Sequence, residues 1–235
     1  MLLEFDTTEV LCHRALQYFE GDGVTVDCEE ALRLFSLAAE RGNPHAQLFL
    51  GLMSEYGKGV AQDYGMAARW YRMAAEQGDA DAQCRLGGLY KNGKGVWKDE
   101  AEAVKWYRMA AEQGNAVAGR FLGMAYRIGK SVTTDAAEAL KWFRLAAEEG
   151  DCYAQYFLGL MYEAGDCVSQ NPREAAYWFK LAADQGNSDA QHSLGLLHKN
   201  GAGGKVKTVG SRQWAVGRGM LAVGRRKKVL SAEGR

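Results

Sequence analysis

The sequence has no long apolar run. Its longest stretch free of Asp, Glu, Lys and Arg is the thirteen residues from Gly42 to Ser54, whereas a helix that crosses a bilayer needs about 20 mostly apolar residues. A membrane-spanning helix is therefore excluded. The first residues carry Glu4, Asp6 and Glu9 where a secretory signal would place a basic segment followed by an apolar one, so the expected compartment is the cytoplasm. No C-x-x-C pair occurs among the five cysteines, Cys12, Cys28, Cys84, Cys152 and Cys167, and their number is odd; they read as scattered free thiols, not as a disulfide or metal framework. Net charge is absent as well, with 29 Lys and Arg against 29 Asp and Glu, but residues 1–204 hold 20 basic and 28 acidic side chains and the last 31 residues hold 9 and 1. A composition of 47% hydrophobic and 25% charged residues excludes disorder and allows one domain or two. Proline is scarce too, at 2 residues against 29 glycines, and the placement of those glycines decides the fold.

Gly42, Gly78, Gly114, Gly150 and Gly186 are spaced by 36 residues, and a second ladder, Gly21, Gly57, Gly93, Gly129, Gly165 and Gly201, keeps the same period. Between them recur a Leu-Gly pair from Leu50 to Leu194 and a Trp followed by an aromatic at Trp70, Trp106, Trp142 and Trp178. The nine residues from Trp70 to Gly78 are repeated without change from Trp106 to Gly114. Each unit reads as two helices. Asn43, Asp79, Asn115, Asp151 and Asn187 are N-cap types for a helix A, which should stop at Gly57 and its equivalents. Asp63, Asp99, Asp135 and Asn171 then cap a helix B, with Glu102, Glu138 and Glu174 placed as capping-box partners of the last three.

Each helix is apolar on one stripe: Ala82, Leu86 and Leu89 in one helix A, and Ala103, Trp106, Tyr107 and Ala110 in the helix B that follows. One hairpin cannot bury such stripes alone, so neighbours must stack. The expected fold is all-α, a right-handed α-α superhelical solenoid of about five and a half 36-residue repeats over residues 1–204, with boundaries near 42, 78, 114, 150 and 186. The pattern A-Q-x-x-L-G-x-x-Y-x-x-G-x-G-V-x-x-D, then A-x-x-W-Y-x-x-A-A-x-Q-G, carried by residues 82–99 and 103–114, resembles the Sel-one-like repeat (SLR) family, relatives of the tetratricopeptide repeat. The chain departs from it at Gly119 in the Gln column, at Ser54 and His198 in the Tyr column and at Leu34 in the Trp column. The resemblance implies a non-enzymatic adaptor that binds a protein or peptide segment without a cofactor. Some secreted members have been proposed to act on penicillin-like ligands, so hydrolase-type activity on a small ligand is the alternative it carries.

Signals for chemistry are weak. Gly129-Lys130-Ser131 ends like a phosphate-binding loop, but Met124 stands where the first glycine is needed and the segment follows a helix, not a strand. His13, His45, His192 and His198 lie in different columns without an H-E-x-x-H spacing, so no metal site is expected. None of the eight serines has Lys three residues on, and catalytic residues are expected to be none.

Binding is expected on the helix A stripe beside the core, which varies freely between units: Leu48, Leu52, Glu55 and Tyr56, then Arg120, Met124, Arg127 and Ile128, then Tyr153, Tyr156, Leu160 and Glu163. By resemblance to tetratricopeptide arrays this ribbon would line the concave surface. Packing against a neighbouring helix is the competing role, favoured for Leu48, Leu52 and Leu160. Arg120, Met124, Arg127, Tyr153 and Tyr156 form the candidate site, since Arg and Tyr dominate binding hot spots. Residues 205–235, with Arg225-Arg226-Lys227-Lys228 and with Trp214 in register, read equally as a degraded last helix, a basic arm that attracts nucleic acid or anionic membrane, or a segment translated from a shifted frame.

Overall fold

Helices recur with the period of the sequence. Helix A of successive units is α1 (Thr8–Glu20), α3 (Pro44–Tyr56), α5 (Ala80–Asn92), α7 (Ala116–Ile128), α9 (Cys152–Ala164) and α11 (Ser188–Lys199); helix B is α2 (Cys28–Glu40), α4 (Tyr64–Glu76), α6 (Glu100–Glu112), α8 (Ala136–Glu148) and α10 (Pro172–Asp184). The computed structural model describes residues 7–199, which lie within one unit, Met1–Gly204, and among them there is no strand. The tail and the boundary at 204 lie outside the described residues.

Caps explain why the helices are so uniform. Asn43 Oδ1 accepts the Ala46 N–H at 2.9 Å, and Asp79, Asn115, Asp151 and Asn187 do the same for their own helix A. Each of α3, α5, α7 and α9 then stops on a glycine in the left-handed region, such as Gly57 at φ 68°. Helix B is capped by Asp27, Asp63, Asp99, Asp135 or Asn171, but the capping box expected there is only half made. The backbone N–H of the capping residue is already used, because it donates to the preceding helix A: Asp99 to the Tyr90 carbonyl at 3.0 Å, Asp135 to Tyr126 at 3.1 Å. The freed carboxylates pair along their own helix instead, Glu102 with Lys105 and Glu138 with Lys141. This backbone bond is what ties the loop between the helices to the hairpin.

Packing follows chain order, each helix lying against the one before and the one after. Within a hairpin the second aromatic of the pair, Tyr71, Tyr107, Phe143 or Phe179, lies on helix A where the Leu-Gly pair presents bare backbone. A Cβ placed on Gly51 would meet the Tyr71 ring at 2.4 Å, and one on Gly159 would meet Phe179 at 2.6 Å. Between hairpins the Trp acts. Trp106 shares a core with Ala74, Ala75, Leu86 and Leu89 of the preceding turns of chain, and Trp142 with Ala103, Tyr107, Ala110 and Leu122. The result is an all-α repeat solenoid whose core is a series of clusters, each shared between neighbouring units.

Burial separates the two tryptophans of one unit: Trp106 is 7% exposed and Trp97, in the loop before α6, is 94% exposed. Truncation of a buried Trp costs about 3–5 kcal/mol, so Trp106→Ala should lose most of that in chemical denaturation while Trp97→Ala stays within about 0.5 kcal/mol of the parent. Equal losses would contradict this core.

Candidate binding face

Two rows of side-chain hydrogen bonds run from unit to unit and fix the register of the stack. In the first, Gln77 Nε2 donates to Gln47 Oε1 at 2.7 Å while Gln47 Nε2 donates to the Ala39 carbonyl, and Gln113 with Gln83 and Gln185 with Gln155 repeat the arrangement. In the second, an Arg of helix B donates to a Tyr hydroxyl of the next helix A: Arg72 to Tyr90, Arg108 to Tyr126 at 2.8 Å and Arg144 to Tyr162 at 2.9 Å. Where one partner is missing, so is the other. Gly119 has lost the Gln side chain and Glu149 stands where its donor would be; a cavity of about 360 Å³ beside Trp142 and Leu145 marks the gap. Ser54 replaces the Tyr and Ser36 the Arg, and Ser54 Oγ turns back to the Leu50 carbonyl at 2.9 Å.

The candidate residues meet across α7 and α9. Arg120 is held on three sides: its Nε donates to Asp151 Oδ2 at 3.0 Å, and its guanidinium stands over the Phe121 ring at 4.5 Å and the Tyr153 ring at 5.1 Å. Arg127 is exposed and reaches over Phe157 at 5.7 Å. Tyr153 is 53% exposed, whereas Tyr156 is half-buried between Phe157 and Phe179 and Met124 packs against the core of α8 and α9. Leu48 and Leu52 belong to a core as well. Similar contacts join the other helix A faces, with Arg85 near Glu55 at 3.6 Å and Lys91 over Phe121 at 4.0 Å, so these side chains form one strip from α3 to α9.

The strip is interrupted at α5. In α5 the positions held by Leu48, Arg120 and Tyr156 elsewhere carry Cys84, and those held by Leu52, Met124 and Leu160 carry Gly88. A cavity of about 320 Å³ opens there, with Tyr107 on its lining. Its cysteine is not a nucleophile: burial, with Asp81 adding to it, pushes the Cys84 thiol up to about 12, so it stays protonated at neutral pH. The motif that ends like a phosphate loop serves the stack, since Gly129 terminates α7 at φ 70° and Lys130 Nζ lies 2.8 Å from Glu100. Among the described residues no three His, Cys, Asp or Glu side chains converge as a metal site.

With this geometry in place, sequence and structure comparisons agree. The Sel1 repeat model matches six times, at residues 12–43, 44–79, 80–115, 117–151, 152–187 and 188–214. A Sel1 repeat protein from Oxalobacter formigenes is 37% identical over 88% of this chain and 83% of its own, with a TM-score of 0.77. A protective antigen of uropathogenic Escherichia coli with an SLR fold is also 37% identical, with a TM-score of 0.76 over 83% of this chain; the chain spans 42% of that antigen's length. No curated protein matches by sequence. The chain belongs to the Sel1 repeat family, whose members build protein–protein interaction scaffolds on a generally non-catalytic fold. The last match reaches Trp214, ten residues past the boundary drawn from composition.

The two arginines should part company when removed. Arg120 is 18% exposed and its partner Asp151, which also caps α9, is 7% exposed, so Arg120→Ala should cost about 1.5–3 kcal/mol in a denaturation curve, the range for hydrogen bonds to charged groups. Arg127→Ala should stay within about 0.5 kcal/mol of the parent. A neutral Arg120→Ala would show that the pair holds nothing.

Proposed function

We propose that the protein is a non-enzymatic scaffold that takes an extended segment of a partner protein along the helix A strip. The observation that supports it is the division of labour between columns. Leu-Gly, the aromatic pair and the caps repeat because the stack needs them, while the strip residues vary between units yet touch from α3 to α9. Tyr56, Ile128 and Tyr153 expose more than half of their surface on it, and Arg127 adds a cation. Aromatic rings with adjacent guanidinium groups supply apolar area and directed polar contact together. Between Asn115 and Gly186 this composition suits a partner segment that carries acidic and aromatic or aliphatic residues.

Affinity capture with the full chain as bait, followed by mass spectrometry, identifies the partner. Arg127→Ala and Tyr153→Ala should then each weaken it by about 1 kcal/mol or more with thermal stability unchanged. Arg120→Ala and Tyr156→Ala should weaken it too, but only Arg127 and Tyr153 separate binding from packing. Normal binding by all four would move the site to another surface, such as the exposed row Met73, Met109 and Leu145 on helix B. Capture that fades steeply with salt and disappears on removal of residues 205–235 would instead indicate a basic arm acting on nucleic acid or anionic membrane.

A further inference from the structure

The cavity on α5 is built by Gly88. A Cβ added there would meet only the Tyr107 hydroxyl, at a van der Waals distance of 3.7 Å, whereas Leu or Met fills the same column in α3, α7 and α9. Tyr107 is 3% exposed and its hydroxyl makes no hydrogen bond. One unit earlier the equivalent group is satisfied, because Tyr71 donates to Glu55 Oε2 at 2.5 Å. The column that supplies Glu55 supplies Lys91 in α5, a donor in place of the acceptor, so the tyrosine has lost its acceptor. A buried hydroxyl in that state favours any occupant that brings an acceptor.

The charges on the lining say which acceptor. Glu55 is engaged by Tyr71 and Arg85, and Asp81 accepts from Asn115 Nδ2 at 2.8 Å. Lys91 makes no ion pair among the described residues; its ammonium lies over Phe121, and burial followed by the neighbouring Arg120 and Lys130 lowers its pKa, with Glu100 opposing them. Lys94 stands over Tyr64 at the rim. We propose that this cavity receives the carboxylate of a glutamate or aspartate side chain in the bound segment, with the Tyr107 O–H as its donor and Lys91 as its counter-charge. Lys91 and Lys94 make no ion pair among the described residues and, with Arg85 set against Glu55 and Asp81, leave the lining one positive charge in excess, which a single carboxylate matches and a doubly charged group exceeds. This rests on the scaffold reading and names what one position of the partner must be.

The test pans a phage-displayed library of random peptides on the full chain and measures the selected peptides by fluorescence anisotropy. Gly88→Leu fills the cavity with the residue that its column holds at Leu52 and Leu160, so the stack tolerates it and the thermal midpoint should hold or rise. Tyr107→Phe installs the residue of Phe35, Phe143 and Phe179 and should raise the midpoint by removing an unpaired hydroxyl. The expected result is a shared Glu or Asp among the selected peptides, a loss of about tenfold in affinity with Gly88→Leu or Lys91→Ala, and no further loss when that acid is changed to its amide in the Gly88→Leu background. Peptides that share no acidic position, or that bind Gly88→Leu as tightly as the parent, would overturn the carboxylate pocket and leave the scaffold standing. A library that yields no binder would overturn both.

Discussion

An aromatic ring lying on a glycine sets the distance between the two helices of the four hairpins from α3 to α10, and the rest of the stack inherits that distance. Gly51, Gly87, Gly123 and Gly159 present bare backbone to Tyr71, Tyr107, Phe143 and Phe179, with an added Cβ falling 3.0 Å or less from each ring. Because the ring fills the space a side chain would take, the preceding Trp of helix B is aimed at the neighbouring hairpin. Trp106 and Trp142 then close cores that span two units. Ala15 takes the glycine's column in the first hairpin, where it shares a core with Phe35.

Polar ladders add register to this apolar spacing. A Gln pair needs both amides and an Arg–Tyr bond needs both ends, since a lone buried amide or hydroxyl is unfavourable. That is why Gly119 accompanies Glu149 and Ser54 accompanies Ser36. The Trp106 and Trp178 indole N–H groups and the Tyr107 hydroxyl are buried without a partner, and for Tyr107 the reason is visible: its column partner became Lys91 and nothing else in the described residues took over the hydroxyl. An unsatisfied group at the centre of the variable strip, under a glycine, is the kind of local inconsistency that marks a working surface.

Much of the fold was legible because caps, glycine stops and apolar stripes are local signals that recur at one spacing. The helix bounds follow from Asn43, Gly57 and Asp63 and their copies with little help from tertiary structure. The capping box failed because a bond from Asp99 to Tyr90 reaches into another helix, which no window on one helix contains. The candidate site was half legible. Arg120, Met124, Arg127, Tyr153 and Tyr156 do lie together, but single columns gave no sign that Asp151 holds Arg120 or that Met124 and Tyr156 are half-buried against core residues. The α5 cavity leaves a trace in the sequence, since Cys84, Gly88 and Lys91 all break their columns in one helix, but the trace lies in the coincidence of three columns and in none of them singly.

The central claim is that glycine is needed under the ring and nowhere else on that face, and urea denaturation of two single variants tests it. In a helix interior Gly→Ala is favoured by about 1 kcal/mol through propensity alone. Gly88→Ala should therefore stabilise, its Cβ meeting only the Tyr107 hydroxyl at 3.7 Å, while Gly51→Ala, driven to 2.4 Å from the Tyr71 ring, should destabilise by about 1–3 kcal/mol as overpacking does. Opposite signs are the predicted result. Stabilisation by both would show that the rings can move away and that the hairpin spacing is set by something else.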